Sequence, residues 1–233
     1  MTGESRRKPG AVLFDKDGTL FDFAATWGRW CAGLLGGLSG GDPALAARMG
    51  VSIGFRISDA TFSPDSPVIA DPTDAIAARL LVHLPEWTQA GLSAHMNDLS
   101  KSAVQVAVVP LAVVLDGLLA RGLRLGLCTN DGEAPARTHL AHAGVADRFD
   151  FVAGFDSGYG AKPDPGPLLA FARAVNLAPA RIVMVGDSAH DMRAGRAAGM
   201  VCVAVGGIPS AVALADANLP NISALADWID SRA

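Results

Sequence analysis

Residues 12–20, VLFDKDGTL, constrain the fold of this chain more than any other stretch. Val12, Leu13 and Phe14 form a short continuous apolar run, which predicts a strand covered on both faces, as in a parallel sheet. Asp15 and Asp17 follow two positions apart, and Gly18-Thr19 turns the chain at once. Acidic groups at the carboxyl end of such a strand lie where open α/β sheets bind their ligands. Held close together, two carboxylates repel unless a cation or a proton sits between them. Taken alone, a D-x-D-G turn is equally well a pair of solvated acids, and the rest of the chain has to separate the two readings.

Residues 23–99 read as helical, with no convincing strand. Residues 24–38 are apolar and end in Gly-rich sequence. Asp42-Pro43 is a cap-plus-first-turn signal for a helix to about 49. Asp71-Pro72 starts another to about 84, and Pro85-Glu86 a third to about 99. Residues 54–70 between them, with Pro64 and Pro67, read as a long loop of the functional or mobile kind. The whole segment is predicted to be a helical module inserted after the first strand. From Pro110 onward, helices and strands alternate, with strands at 123–129, 149–154, 181–185, 201–205 and, weakly, 217–219. That rhythm implies an α/β fold, a doubly wound parallel sheet.

Half of the residues are hydrophobic and 18% are charged, enough apolar material for a substantial core. A net charge of −4 argues against general nucleic-acid binding, which needs a basic face. Cys31, Cys128 and Cys202, without a CxxC pair, read as reduced, mostly buried thiols of a cytoplasmic protein. The basic start is followed by only a short apolar run before Asp15, which fits no signal peptide. The uncharged stretch 102–115 is too short to span a bilayer. No nucleic-acid partner and no membrane association are expected.

Each polar residue of interest ends a predicted strand. Asp15 and Asp17 follow the first, Thr129-Asn130 the second, Lys162 the third (in Gly160-Ala161-Lys162-Pro163), and Asp187-Ser188 the fourth, with Asp191 one helical turn on. Parallel strands would converge them on one crevice. Several acids, one lysine and one hydroxyl make a hard-cation site beside an anion site. Mg²⁺ suits oxygen ligands and substrate phosphate, and the absence of His and Cys argues against zinc. Lys162, the Thr129 hydroxyl and backbone N–H groups at the Asn130 and Gly18 turns would hold a phosphate. A carboxylate can act as nucleophile, and a second one two residues on can exchange protons with the leaving oxygen and with water.

DKDGTL, Thr129-Asn130, Lys162-Pro163 and GDSAHD (186–191) resemble, in order, the four motifs of the haloacid dehalogenase-like hydrolases, and within them the phosphoglycolate-phosphatase-like branch. The resemblance implies a Rossmann-like core at 1–22 and 106–233 and a helical cap at 23–105. It implies that Asp15 is the nucleophile and a Mg²⁺ ligand, and that Asp17 is the general acid/base whose carbonyl also ligates the metal. Thr129 and Lys162 would hold the phosphoryl group, and Asp187 would bind the metal directly. Asp191 would be an outer ligand or an orienter of Lys162. Dehalogenases of the family lack an acid at the position of Asp17. Transport ATPases, whose motif the Lys16 in DKDGT resembles, carry Thr there and are membrane proteins. A Mg²⁺-dependent phosphatase acting on a small phosphorylated metabolite, 2-phosphoglycolate among the candidates, is the expected function. A phosphomutase or a non-catalytic binding protein of the same fold stays open, as does the choice between monomer and homodimer.

Other residues have plainer readings. Ser188 is expected to be an N-cap, and Asp22 a solvated turn residue. His83, His95, His139 and His142 read as packing or surface groups, and His190 as pointing outward. Trp27, Trp30 and Trp87 fall at core-like helix positions, from which one or more could line a substrate pocket. Arg56 is the best-placed cation in the inserted segment to meet a substrate carboxylate, with Lys101 a weaker candidate; each is equally a surface residue.

Overall fold

The computed structural model describes residues 8–69 and 71–232. The expectation drawn from the basic start therefore rests, for residues 1–7, on positions outside the described residues. β1 (Ala11–Phe14) lies third in a six-stranded parallel sheet. Its neighbours are β4 (Arg124–Cys128) and β6 (Ile182–Gly186). Beyond them come β5 (Phe151–Ala153) on one side, and β7 (Val201–Val205) and β8 (Ala217–Leu219) on the other. The weak strand at 217–219 thus forms, at the sheet's edge.

Alternate residues of these strands feed two cores. Val12, Phe14, Leu125, Leu127, Val183 and Val185 face one side, against α5 (Leu111–Leu119), α6 (Glu133–His142) and α10 (Leu225–Asp230). Ala11, Leu13, Cys128, Ile182 and Met184 face the other, against α7 (Gly166–Ala174) and α8 (Ala189–Ala198). Covering both faces is what requires the unbroken apolar runs in the sequence. A strand of this kind tolerates truncation poorly: Phe14, fully buried, packs edge-on against Phe149 at 6.5 Å between ring centroids.

The inserted segment builds a core of its own. α1 (Phe23–Leu38), α2 (Pro43–Ser52), α3 (Thr73–Leu80) and α4 (Gln89–Ser100) bury Leu34, Leu35, Met49, Leu80, Leu92 and Met96 together. Asp22, exposed as expected, caps α1 by accepting from the Ala25 N–H, and Asp42 caps α2 in the same way. α4 begins later than expected, at Gln89 with Thr88 as its cap, because the Pro85-Glu86 start signal falls in a turn. The segment is not wholly helical. Phe55–Arg56 and Thr61–Phe62 pair as a short antiparallel hairpin, β2 and β3, inside the stretch read as loop. Phe55, Phe62 and Phe23 stack in series and hold it, a long-range aromatic contact that local turn signals do not carry.

Candidate active site

The strand register sets the site. β1 pairs with β4 and β6 so that Phe14 stands opposite Leu127 and Val185, and the Asp15 N–H continues the ladder onto the Val185 carbonyl at 2.8 Å. Asp15, Thr129 and Asp187 consequently emerge from neighbouring strand ends. Lys162 arrives from the loop after β5 and is clamped by Asn130. The Asn130 side chain donates to the Lys162 carbonyl at 2.8 Å and accepts from its N–H at 2.9 Å. The Lys162 ammonium then reaches Asp15 Oδ1 and Asp191 Oδ1, both at 2.6 Å. Ser188 caps α8 in a reciprocal capping box with Asp191, whose Oδ2 accepts from the Ser188 N–H and hydroxyl. Both oxygens of Asp191 are thereby engaged, and its geometry is that of an orienter of Lys162.

Charge is concentrated and dry here. Asp15, Lys162, Asp187 and Asp191 are each at least nine-tenths buried. Burial pushes the Asp15 carboxyl up to about 7; Lys162 pulls it back down only in part, and Asp191 adds to the rise. Asp187 is driven well above the usual carboxylate range by burial, then by Asp15 and Asp191. Burial opposes the charge on Lys162, yet Asp15 and Asp191 outweigh it and hold the ammonium more firmly protonated than usual. One oxygen from each of Asp15, Asp187 and Asp191 can be chosen such that all three lie within 4.8 Å of one another. Crowded carboxylates offering hard oxygen donors alone are a donor set that fits Mg²⁺.

Gly18 lies beside this cluster at φ +79°, and a Cβ there would run into the Asp187 carboxylate. Its N–H donates to the Phe21 carbonyl at 2.7 Å. Its own N–H is thus engaged within the turn, and Gly18 supplies room for Asp187.

A second buried cluster lies behind the first and was not legible in the sequence. Lys16, fully buried, contacts Asp131 Oδ2 at 2.9 Å, Asp17 Oδ2 at 3.0 Å and His139 Nδ1 at 3.1 Å, and sits 4.9 Å from the centre of the Trp27 ring. An ammonium can only donate, so His139 accepts at Nδ1 and carries its proton on Nε2, which donates to the Ser100 carbonyl at 2.7 Å. Burial, and then Lys16, lower the His139 pKa and keep the ring neutral. Burial alone would lower the Lys16 pKa, but Asp131 and Asp17 outweigh it and raise it. Trp27 Nε1 donates to Asp17 Oδ1 at 2.6 Å. Asp17 is thus held by a residue of α1 on one oxygen and by Lys16 on the other.

Asp15, Asp17, Thr129, Asn130, Lys162 and Ser188 line one cavity with residues of α1, α3 and α4. Trp27 and Trp30 belong to its wall, and Trp30 also packs against the core of the inserted segment. His190, expected to point outward, also lines it. Arg56 does not: its guanidinium, on an exposed hairpin, pairs with Asp59 at 2.9 Å and donates to Thr61. Lys101 pairs with Asp98 at 2.9 Å, likewise at the surface. Their signal in sequence was charge alone, and a nearby acid claims each.

The parallel sheet thus aims carboxylates and the buried Lys162 into a crevice roofed by the inserted segment. The model of the haloacid dehalogenase-like hydrolases matches residues 9–199. A phosphoglycolate phosphatase of Rhodospirillum rubrum is 33% identical over 95% of this chain and 91% of its own length. Among solved structures, a predicted phosphoglycolate phosphatase from Haemophilus somnus superposes with a TM-score of 0.72 at 19% identity, over 95% of this chain and 98% of that one. A β-phosphoglucomutase from Clostridium difficile does so at 0.67 and 17% identity, over 96% of each chain. The chain belongs to the haloacid dehalogenase-like hydrolases. All three cysteines are buried and free, and among the described residues no helix is long and apolar enough to cross a membrane.

Proposed function

We propose that the protein is a Mg²⁺-dependent phosphomonoester hydrolase that acts on a small phosphorylated metabolite through an aspartyl phosphate on Asp15. The observation that carries this reading is the buried Lys162 ammonium, 2.6 Å from Asp15 and from Asp191, beside a carboxylate cluster short of positive charge. An anionic carboxylate can approach an anionic ester only where fixed positive charge offsets their repulsion. Asp15, Asp187 and the Asp17 carbonyl would hold Mg²⁺, which when bound supplies further charge neutralisation at the phosphoryl oxygens. The rest is done by the chain itself. Asp15 attacks phosphorus, the bond to the leaving oxygen breaks, and Asp17 delivers a proton to that oxygen. Asp17 then takes a proton from water as the water attacks phosphorus, releasing phosphate and restoring Asp15. Lys162 and Thr129 hold the phosphoryl group, and Asp191 and Asn130 hold Lys162. The inserted segment serves as a cap whose closure keeps bulk water away until the leaving group has gone.

2-Phosphoglycolate, the substrate in the name of the Rhodospirillum rubrum relative, is the first metabolite to try. The test is phosphate release from it and from p-nitrophenyl phosphate with Mg²⁺, with EDTA, and in Asp15→Asn. Loss of activity in both EDTA and the variant is expected. Activity that survives both overturns the mechanism, and an isomerised sugar phosphate in place of free phosphate would identify a mutase.

A further inference from the structure

The face that the inserted helices turn toward the carboxylates is predominantly apolar. Phe23, Trp27, Trp30, Leu34, Ile53 and Ile76 line it. The polar side chains they leave room for are Asp71, Thr73, Asn97 and Ser100. Among the described residues, no Lys, Arg or His of the inserted segment lines the cavity. The basic side chains that do, Lys162 and His190, both come from the sheet side, and Lys162 is already shared between Asp15 and Asp191. Asp71 adds negative charge to the same space, while Asp17 and Asp131 share the Lys16 ammonium. A leaving group carrying a second anion would find no cation on the wall it must touch, and would meet Asp71 instead.

Two residues of that wall each carry a buried polar atom without a partner. Trp30 Nε1 and Asn97 Oδ1 are both buried and make no hydrogen bond, one a donor and the other an acceptor. Buried polar groups are rarely left so, and a pair of opposite type on a cavity wall suits an occupant with a neutral polar substituent. Two indoles set edge to face, with ring centroids 5.0 Å apart, supply a firm apolar surface beside them.

We infer that the leaving group is an uncharged, largely apolar alcohol bearing a hydroxyl or amide for Trp30 and Asn97, and not a short carboxylate such as glycolate. The inference rests on the phosphatase reading above and departs from the substrate named for the relatives. The chemical class that must supply such a substrate is the phosphorylation of a neutral apolar alcohol.

The test compares benzyl phosphate with 2-phosphoglycolate on the full chain with Mg²⁺, both being esters of alcohols. A kcat/KM ratio of about a hundredfold in favour of benzyl phosphate is expected from burial of one aromatic ring. Equal values, or a preference for 2-phosphoglycolate, overturn the inference. Binding of benzylphosphonate and phosphonoacetate, measured by calorimetry, needs no turnover. Tighter benzylphosphonate supports the inference; phosphonoacetate as tight or tighter, or no binding of either, overturns it. If neither ester is hydrolysed, the phosphatase reading fails, and the phosphonate pair still decides what the pocket accepts.

Discussion

Trp27 and Asp17 meet across the seam between the inserted helices and the sheet, the indole Nε1 donating to Asp17 Oδ1 at 2.6 Å. The proposed proton-transfer group is therefore tied to α1, the first helix of the cap. Trp27→Phe keeps the ring and removes the donor. Its turnover of an alkyl phosphate is expected to fall about tenfold, the equivalent of one charge-assisted hydrogen bond. The loss on p-nitrophenyl phosphate should be smaller, because that leaving group departs without a proton. Steady-state kinetics on the two substrates read the difference, and an equal loss on both would assign the effect to packing.

Lys16 makes a stability prediction. It is fully buried between Asp131 and Asp17, with His139 as a third neighbour. Lys16→Met fills a similar volume but leaves two acids without their counter-charge. A destabilisation of about 3–5 kcal/mol is expected, by the usual cost of breaking a buried pair from one side. Urea unfolding measures it; a change within error would mean that the acids find other partners.

Metal binding should depend on pH with a definite sign. Asp15 rises from 3.8 to about 7 in the folded protein, so the folded state holds a proton there that the unfolded chain releases. That contribution to stability is complete below the unfolded value and is lost as pH rises through about 7. Mg²⁺ competes with this proton. The rise in Tm caused by Mg²⁺ is therefore expected to be larger at about pH 8 than at about pH 5. Thermal unfolding with and without Mg²⁺ checks it, and the opposite order would contradict the assignment of the cluster.

Gly18→Ala tests the room left for Asp187. At φ +79° an alanine is strained, and its Cβ would meet the Asp187 carboxylate. A loss of about 1–2 kcal/mol from the left-handed backbone is expected, together with loss of most of the Tm response to Mg²⁺. A variant that is destabilised but keeps its full Mg²⁺ response would show that Asp187 does not need this position.

The sheet and the line of strand-end residues were legible because both are written locally. An apolar run fixes a buried strand, and a residue just past it inherits a place at the sheet's carboxyl edge. Asp15, Thr129 and Asp187 are of this kind, Lys162 follows its strand at the end of a loop, and Ser188 is the N-cap it was read as. What stayed hidden depends on contacts across the chain. Lys16 is separated by 115 residues from Asp131 and by 123 from His139, and none of the three carries a local mark of the others. His139 was read as a packing or surface group, and its burial settles that as packing, but its partner could not be foreseen. Trp27 looked like core because a residue at a seam has the same helical spacing as one in a core. Arg56 stood out by charge, and only the hairpin fold, which brings Asp59 and Thr61 to it, shows where that charge is spent.

The central claim is that Asp15 carries the phosphoryl group. Acid quenching during turnover of p-nitrophenyl phosphate with Mg²⁺, followed by peptide mass spectrometry, tests it most directly. One added phosphoryl group is expected on the peptide containing Asp15, absent in Asp15→Asn and absent with EDTA. Undiminished phosphate release with no such adduct, or an adduct on another residue, would contradict it.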